Sequence, residues 1–351
     1  MGTLPLAGIR VVDLTWNLPG PYASFQLASL GADVTKIEPP KGDPARFMPG
    51  LFEALNSGKR SIRLDLQDPA DRVRLEAELR TADVVLEGFR PGVAERLGCG
   101  PEQVRALAPR AIYCSITAFG RTGERARLPG HDLNAQAWSG VCHVARDAHG
   151  APEGLPLPIA DLGASMAAVS SILAALLARE RDGQGRVLDV AMVDAALSFA
   201  ATWNHVDPAG DARRQLPRAL RPFAGPFLRR LDRERLHAFP HYRTFPCGDG
   251  KWLAIGIVDE KHFWKKLCAE LALGRVADWS IPVRVLSGRW LAHRIRRRLA
   301  SDTRDAWLTR LQAADVPVSP VLTVAEAVEA WRGRMVGPDG VLRPPLARFD
   351  G

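Results

Sequence analysis

Short apolar runs with two different periods alternate along the first third of the chain, separated by Pro, Gly and charged residues. GIRVVDL (Gly8–Leu14) and ADVTKIE (Ala32–Glu38) are β-branched and strand-like. Between them, after the Pro19-Gly20-Pro21 break, YASFQLASLGA spaces its apolar residues at helical intervals. This pattern predicts a βαβ unit, whose expected geometry is a parallel strand pair with a right-handed crossover. RSIRLDL (Arg60–Leu66), ADVVLEGF (Ala82–Phe89) and AIYCSITAFG (Ala111–Gly120) predict further strands, with a helix over Pro69–Arg80. Strand and helix alternating in this way define a doubly wound α/β domain.

Two helices are predicted next, over Leu133–Val144 and Asp161–Arg181, the second stopping at Gly183–Gly185 behind Arg179 and Arg181. RVLDVAMVDAALSFAA reads as strand then helix. Periodicity fades in a Pro- and Arg-rich stretch. YRTFPCGDGKWLAIGIV (Tyr242–Val258) then predicts a hairpin turning at Gly248–Gly250, followed by helices from Asp259 to Leu273 and from Arg304 to Ala314. The predicted organisation is a large α/β domain over 1–206, a linker over 207–236, a smaller α+β domain over 237–325 and a final segment over 326–351.

Composition narrows the class. The 351 residues are 46% hydrophobic and 25% charged, values of an ordinary globular chain. The five cysteines (Cys99, Cys114, Cys142, Cys247, Cys268) form no C-x-x-C pair, which points to a reduced environment. No uninterrupted apolar run reaches membrane-spanning length, and no basic segment followed by an apolar core opens the chain. The expectation is a cytoplasmic protein without a membrane segment. The net charge of +8 is mostly arginine and local, in Arg213–Arg235 and Arg294–Arg298. No nucleic-acid-binding signature accompanies it, so nucleic acid is not expected as a partner.

Candidate chemistry is sparse. The eight histidines make no metal-binding spacing, and no G-x-G-x-x-G, P-loop or G-x-S-x-G motif is present. No metal site is expected. Two constellations remain. In GHDLNAQAWSG, Asp132 suits the N-cap of the helix at Leu133, with His131 as a loop residue; the alternative makes His131 functional. In LPIADLGASMAA, Asp161 suits an N-cap as well. Its functional reading has Gly163, Ala164 and Ser165 leaving room for a ligand, and helix-start N–H groups favouring the ionised carboxylate. Trp16, Phe25, Trp138 and Trp203 suit core and pocket lining equally.

The segments PLAGIRVVDLTWNLPGPYAS, LGADVTKIEPPKGDPAR, NSGKRSIRLDL, EGFRPGVAERLG, PGHDLNAQAWSG, ADLGAS, LARERDGQGRVLDVAMVDAAL, YRTFPCGDGKWLAIG and VPVSPVLTVAEA occur in an order that resembles the family III CoA-transferases (CaiB/BaiF). That family also contains the α-methylacyl-CoA racemases. The resemblance implies a Rossmann-like large CoA-binding domain with a smaller α+β domain, a C-terminal segment returning to the large domain, and chains interlocked as a homodimer. It implies acyl-CoA substrates and no cofactor beyond the coenzyme A that the substrate carries.

In the family's transferases the residue matching Asp161 attacks the thioester, giving a mixed anhydride and then an aspartyl-CoA thioester. In its racemases the residues matching His131 and Asp161 are two bases on opposite faces of the substrate α-carbon. GHDLN and EGFRPGVAERLG resemble the racemase wording, whereas transferases usually carry G-Y-D and Glu-Asn-Phe at these places. GIVDEKHF is one residue longer than the matching racemase segment, with Asp259 or Glu260 in place of its Glu. Proton transfer at C2, with Asp132 beside the two bases, is therefore the favoured expectation, and CoA transfer through Asp161 the alternative. For CoA binding the resemblance implies Lys41, in place of an Arg that falls at Pro39, with Lys59, Arg60, Arg90 and Arg96.

Overall fold

A computed structural model describes residues 4–145, 151–204, 239–258 and 260–332, together with 218 and 225. The expected linker over 207–236, most of the final segment and Asp259 lie outside the described residues. The chain divides into two compact units, with the boundary between them after Asn204 and the second reaching Arg332.

In the first unit, strands and helices alternate in the order β1 (Arg10–Asp13), α1 (Pro19–Ser29), β2 (Asp33–Glu38), α2 (Pro49–Asn56), β3 (Arg60–Arg63), α3 (Pro69–Arg80), β4 (Val84–Glu87), α4 (Val93–Arg96), α5 (Pro101–Leu107), β5 (Ile112–Thr117), α6 (Asp132–Trp138), α7 (Val141–Val144), α8 (Ile159–Asp182), β6 (Arg186–Ala191) and α9 (Met192–Asn204). The six strands are all parallel, in the order β3-β2-β1-β4-β5-β6. Connections reverse direction between β1 and β4, so a crevice opens there beyond the carboxyl ends of the strands.

Period-two alternation sorts the strand residues between two cores. Val11, Val84, Leu86, Ile112, Cys114 and Ile116 pack under Leu27 of α1 and Ala164, Ala168 and Ile172 of α8. Val12, Val85 and Tyr113 pack on the opposite face with Leu75 and Leu79 of α3 and Val104 of α5. Both faces are covered, which is why the strands read as nearly continuous apolar runs. Pro19 and Pro69 stand in the first turns of α1 and α3, where a missing N–H costs nothing, and the Asp68 carboxylate accepts the Ala70 N–H at the start of α3.

Helix α8 is long and apolar enough, by length and composition, to cross a membrane. It was not expected from the run lengths because serines interrupt its apolar residues. Half of its most apolar window is buried by protein, against α1, α9, β5 and β6, and this packing accounts for its composition. It ends as expected at Gly183, in the left-handed region at φ 73°, whose N–H closes on Arg179 O at 2.8 Å. The single helix expected over Leu133–Val144 is instead two, α6 and α7. Gly140 at φ 83° separates them, a conformation that ends one helix before the next begins.

The second unit holds β7 (Tyr242–Pro246), β8 (Trp252–Gly256), α10 (Lys261–Glu270), α11 (Ile281–Leu286), α12 (Gly288–Leu299), α13 (Arg304–Ala313), β9 (Val318–Val321) and α14 (Val324–Ala330). The expected hairpin is present, and β9 extends it to an antiparallel sheet β7-β8-β9. The sequence pattern did not reveal α12 because arginines mask it. Leu291, Ile295 and Leu299, each one helical turn apart, are buried beneath exposed Arg289, Arg294 and Arg296–Arg298.

Candidate active site

A cavity of about 590 Å³ opens at the switch point of the parallel sheet, lined entirely by the first unit. Its wall is built from the segments at the carboxyl ends of the strands: Thr15, Trp16 and Asn17 after β1, Pro39 and Pro40 after β2, Asp65 and Gln67 after β3, Gly88, Phe89 and Arg90 after β4, Ala118 after β5 and Met192 after β6. His131 and Asp161 belong to the same wall. The fold thus brings together two residues 30 positions apart in sequence (161 − 131).

Asp161 is not the N-cap that its surroundings suggested. Helix α8 starts earlier, with Pro158 at the cap and Asp161 in the first turn. The N–H groups expected to favour its ionised form are already occupied. Asp132 Oδ1 accepts from Ala160 N at 2.7 Å and from Asp161 N at 3.1 Å, so the Asp132 carboxylate caps α8 from the start of α6. Burial, and after it the neighbouring Asp132 charge, push the Asp161 carboxyl up to about 7. Among the described residues no hydrogen bond reaches the Asp161 carboxyl oxygens.

Asp132 likewise does not cap its own helix. It is the first residue of α6, and His131 takes the cap position. There the His131 N–H donates to Asn134 Oδ1 at 3.0 Å, and the Asn134 N–H donates to the His131 carbonyl at 2.9 Å. Gln136 Nε2 donates to Asp132 Oδ2 and ties the carboxylate down from the other side. The step before His131 is tight: a Cβ at Gly130 would lie 2.8 Å from the Phe119 ring and 2.9 Å from Ala118 Cβ. Glycine there lets the chain pass close over the end of β5.

The small residues after Asp161 serve helix packing rather than ligand space. A Cβ at Gly163 would meet Phe199 of α9 at 2.8 Å, and Ser165 Oγ lies 2.6 Å from Pro19 O at the start of α1. Close approach of α1, α8 and α9 is what places Asp161 at the cavity. Of the aromatic candidates, Trp16 lines the cavity and meets Phe89 edge-on at 5.7 Å. Phe25 is buried on α1, Trp138 is exposed beside Phe119 and Arg125, and the Trp203 side chain lies outside the described residues.

The cationic candidates separate sharply. Arg90 lines the cavity, whereas Lys41, Lys59, Arg60 and Arg96 do not. Arg60 points to Glu78 at 2.9 Å and to Thr35. The Lys59 ammonium is buried, 2.8 Å from Asn56 Oδ1, 2.9 Å from Pro21 O and 3.3 Å from Asp13 Oδ2. Burial, only partly offset by Asp13, pulls its pKa down to about 8.

Lys59 is surrounded by residues whose importance the sequence pattern did not signal. Asp13, Lys36 and Asp43 are all buried. Burial alone would raise the Asp13 carboxyl, yet Lys59, Lys36 and the hydroxyls of Ser24 and Thr15 hold it down to about 2. The available signal was a lysine inside ADVTKIE, a strand that otherwise reads as buried.

A parallel sheet in this strand order, with a cavity at its switch point and an acidic side chain at a helix start in the cavity wall, defines a Rossmann-like α/β fold. The sequence pattern of CoA-transferase family III matches residues 6–336, and the chain belongs to that family. It is 33% identical to the acetyl-CoA:oxalate CoA-transferase of Acetobacter aceti, over 97% of this chain and 87% of that one. It is 31% identical to the α-methylacyl-CoA racemase of Homo sapiens, over 93% of this chain and 80% of that one. The crystal structure of a CaiB/BaiF family protein from Brucella suis superposes with a TM-score of 0.82, at 29% identity, over 99% of this chain and 94% of that one.

Proposed function

We propose that this family III enzyme moves a proton at C2 of an acyl-CoA thioester, epimerising the α-carbon, with His131 and Asp161 as the two bases. The observation that carries this reading is their shared cavity, together with an Asp161 carboxyl held near neutrality. A group with pKa near 7 can take a proton in one direction of the reaction and return it in the other. One base removes the C2 proton to leave the thioester enolate. The conjugate acid of the other delivers a proton to the opposite face, so nothing is consumed and no acceptor acid is needed. Asp132 orders the Asp161 backbone and adds a charge that keeps the Asp161 carboxyl basic. Arg90 is available to the CoA phosphates, and the chemistry calls on no cofactor beyond the CoA of the substrate.

The alternative, CoA transfer between carboxylic acids with Asp161 as nucleophile, is favoured by a relative such as the Acetobacter oxalate enzyme. The two readings separate in D2O with a 2-methylacyl-CoA and no acceptor acid. Deuterium should enter C2, and His131→Ala should slow its entry by about 10²- to 10⁴-fold. Absence of exchange, with CoA passing instead to added carboxylic acids and His131→Ala nearly silent, overturns the epimerase reading.

The reading also includes a homodimer. Leu133 and Trp138 on α6, Met166 and Leu177 on α8 and Leu197 on α9 are exposed apolar side chains on neighbouring helices, a surface suited to a second copy. Neither nucleic acid nor a membrane is a partner in this reading, and the enzyme would work in the cytoplasm.

A further inference from the structure

The loop from Thr15 to Asn17 forms the β1 side of the cavity mouth, and an unusual number of buried charges converge on its backbone. Thr15 N donates to Asp13 Oδ1 at 2.9 Å. The Thr15 carbonyl accepts from Lys36 Nζ at 2.8 Å. Asn17 N donates to Asp43 Oδ1 at 3.1 Å, and the same oxygen accepts the Ala45 N–H at 2.8 Å. Lys36 and Asp43 pair with each other at 2.8 Å, and neither side chain is exposed.

Asn17 is at φ 61°, in the left-handed region that a non-glycine residue rarely occupies without outside support. Gly20 closes the device from below, since a Cβ there would lie 2.2 Å from Thr15. The result is a loop fixed at consecutive points by groups from β1, from β2 and from the β2–α2 connection. Its one large side chain, Trp16, reaches Phe89 across the crevice between β1 and β4.

A buried ion pair is a poor source of stability, because desolvating both charges offsets most of their attraction. Two apolar residues would fill the same volume without that desolvation cost. They could not hold the Thr15 carbonyl and the Asn17 N–H.

We propose that Lys36 and Asp43 are positioning residues that lock the Thr15–Asn17 loop in its cavity-lining form, and so set the affinity of the cavity for the CoA part of the substrate. They do not touch the reacting atoms. The proposal rests on the reading of this cavity as the acyl-CoA site.

The test uses the full chain and CoA itself as probe, with calorimetric Kd, thermal midpoint, and KM and kcat for C2 exchange or, failing that, CoA transfer. Lys36→Met alone strands the Asp43 carboxylate and should fold poorly, so the informative variant is Lys36→Met/Asp43→Leu. It should still fold, with a thermal midpoint lowered because the Thr15 carbonyl and the Asn17 and Ala45 N–H groups lose their partners, bind CoA about tenfold or more weakly, and show the loss in KM with kcat within about threefold. Asp43→Asn, which keeps an acceptor for Asn17 and Ala45, should recover most of the affinity and serves if the double variant does not fold. A double variant that binds CoA like wild type overturns the clamp, as does Asp43→Asn binding as weakly as the double variant. A wild-type chain that does not bind CoA overturns the acyl-CoA reading itself, and the clamp with it.

Discussion

Asp13 and Asp161 are both aspartates taken out of water at the same end of one sheet, and they titrate in opposite directions. Burial pushes each carboxyl upward. At Asp13 two ammonium groups and two hydroxyls reverse that push and bring it down to about 2. At Asp161 the nearest charge is another carboxylate, Asp132, and the value rises to about 7. The lesson is that depth alone does not decide whether a buried acid is structural or reactive. The sign of what surrounds it does.

The comparison breaks most visibly at Asp13. Asp13→Ala leaves Lys59 buried without its charge partner and should cost about 3–5 kcal/mol in urea unfolding. A loss below about 1 kcal/mol would mean that Lys59 finds water instead. In the wild type, Asp13 is held below its unfolded value of 3.8. Its contribution, about 2 kcal/mol, is present above about pH 4 and lost as pH falls toward about 2.

Asp161 carries the reverse sign. Its folded value lies above its unfolded one, so the native state binds the extra proton between about pH 4 and 7 and stability falls as pH rises through that window. Asp161→Asn removes that fall. Relative to wild type it should gain about 2–4 kcal/mol on going from about pH 4 to pH 8. Equal pH dependence in the two proteins would show that Asp161 is not raised.

The smallest effect is the most discriminating. Asp132→Asn keeps an oxygen for the Ala160 and Asp161 N–H groups but removes the charge. The Asp161 midpoint, followed by the pH dependence of kcat/KM, should drop by about one unit and stay well above about 4, because burial is the larger cause. A drop to an ordinary aspartate value would make the neighbouring carboxylate, not burial, the dominant influence.

Much of the fold was legible in the chain, for identifiable reasons. Strands covered on both faces must be apolar throughout, and their crossover helices must be amphipathic, so the alternation of β1 to β5 could be read directly. The stop at Gly183 and the hairpin at Gly248–Gly250 were legible because φ > 0 restricts residue choice. Helix α12 was not, because its buried positions are outnumbered by arginines that only the folded unit turns outward. His131, Asp161 and Asp132 could be singled out as polar residues at helix starts, but their local roles were misassigned. Which carboxylate caps which helix depends on a contact between Asp132 and Asp161, residues that are neighbours in space rather than in sequence. Lys59, which the resemblance implies for CoA binding, has its ammonium buried against Asp13 and Asn56, and a lysine in a loop carries no mark in the sequence of where its ammonium will end.

Periodicity and turn residues by themselves determined an α/β chain, and the order of its motifs carried the resemblance to CoA-transferase family III that implied His131 and Asp161 as a reactive pair. These are properties of residue type and spacing, which the chain carries before it folds. Tertiary structure alone decided that Asp161 titrates high and Asp13 low, that the small residues after Asp161 receive helices rather than a ligand, and that Lys36 and Asp43 hold the cavity mouth. Each of those depends on the distance between charges or surfaces far apart in sequence, and electrostatic and steric energies are set by that distance.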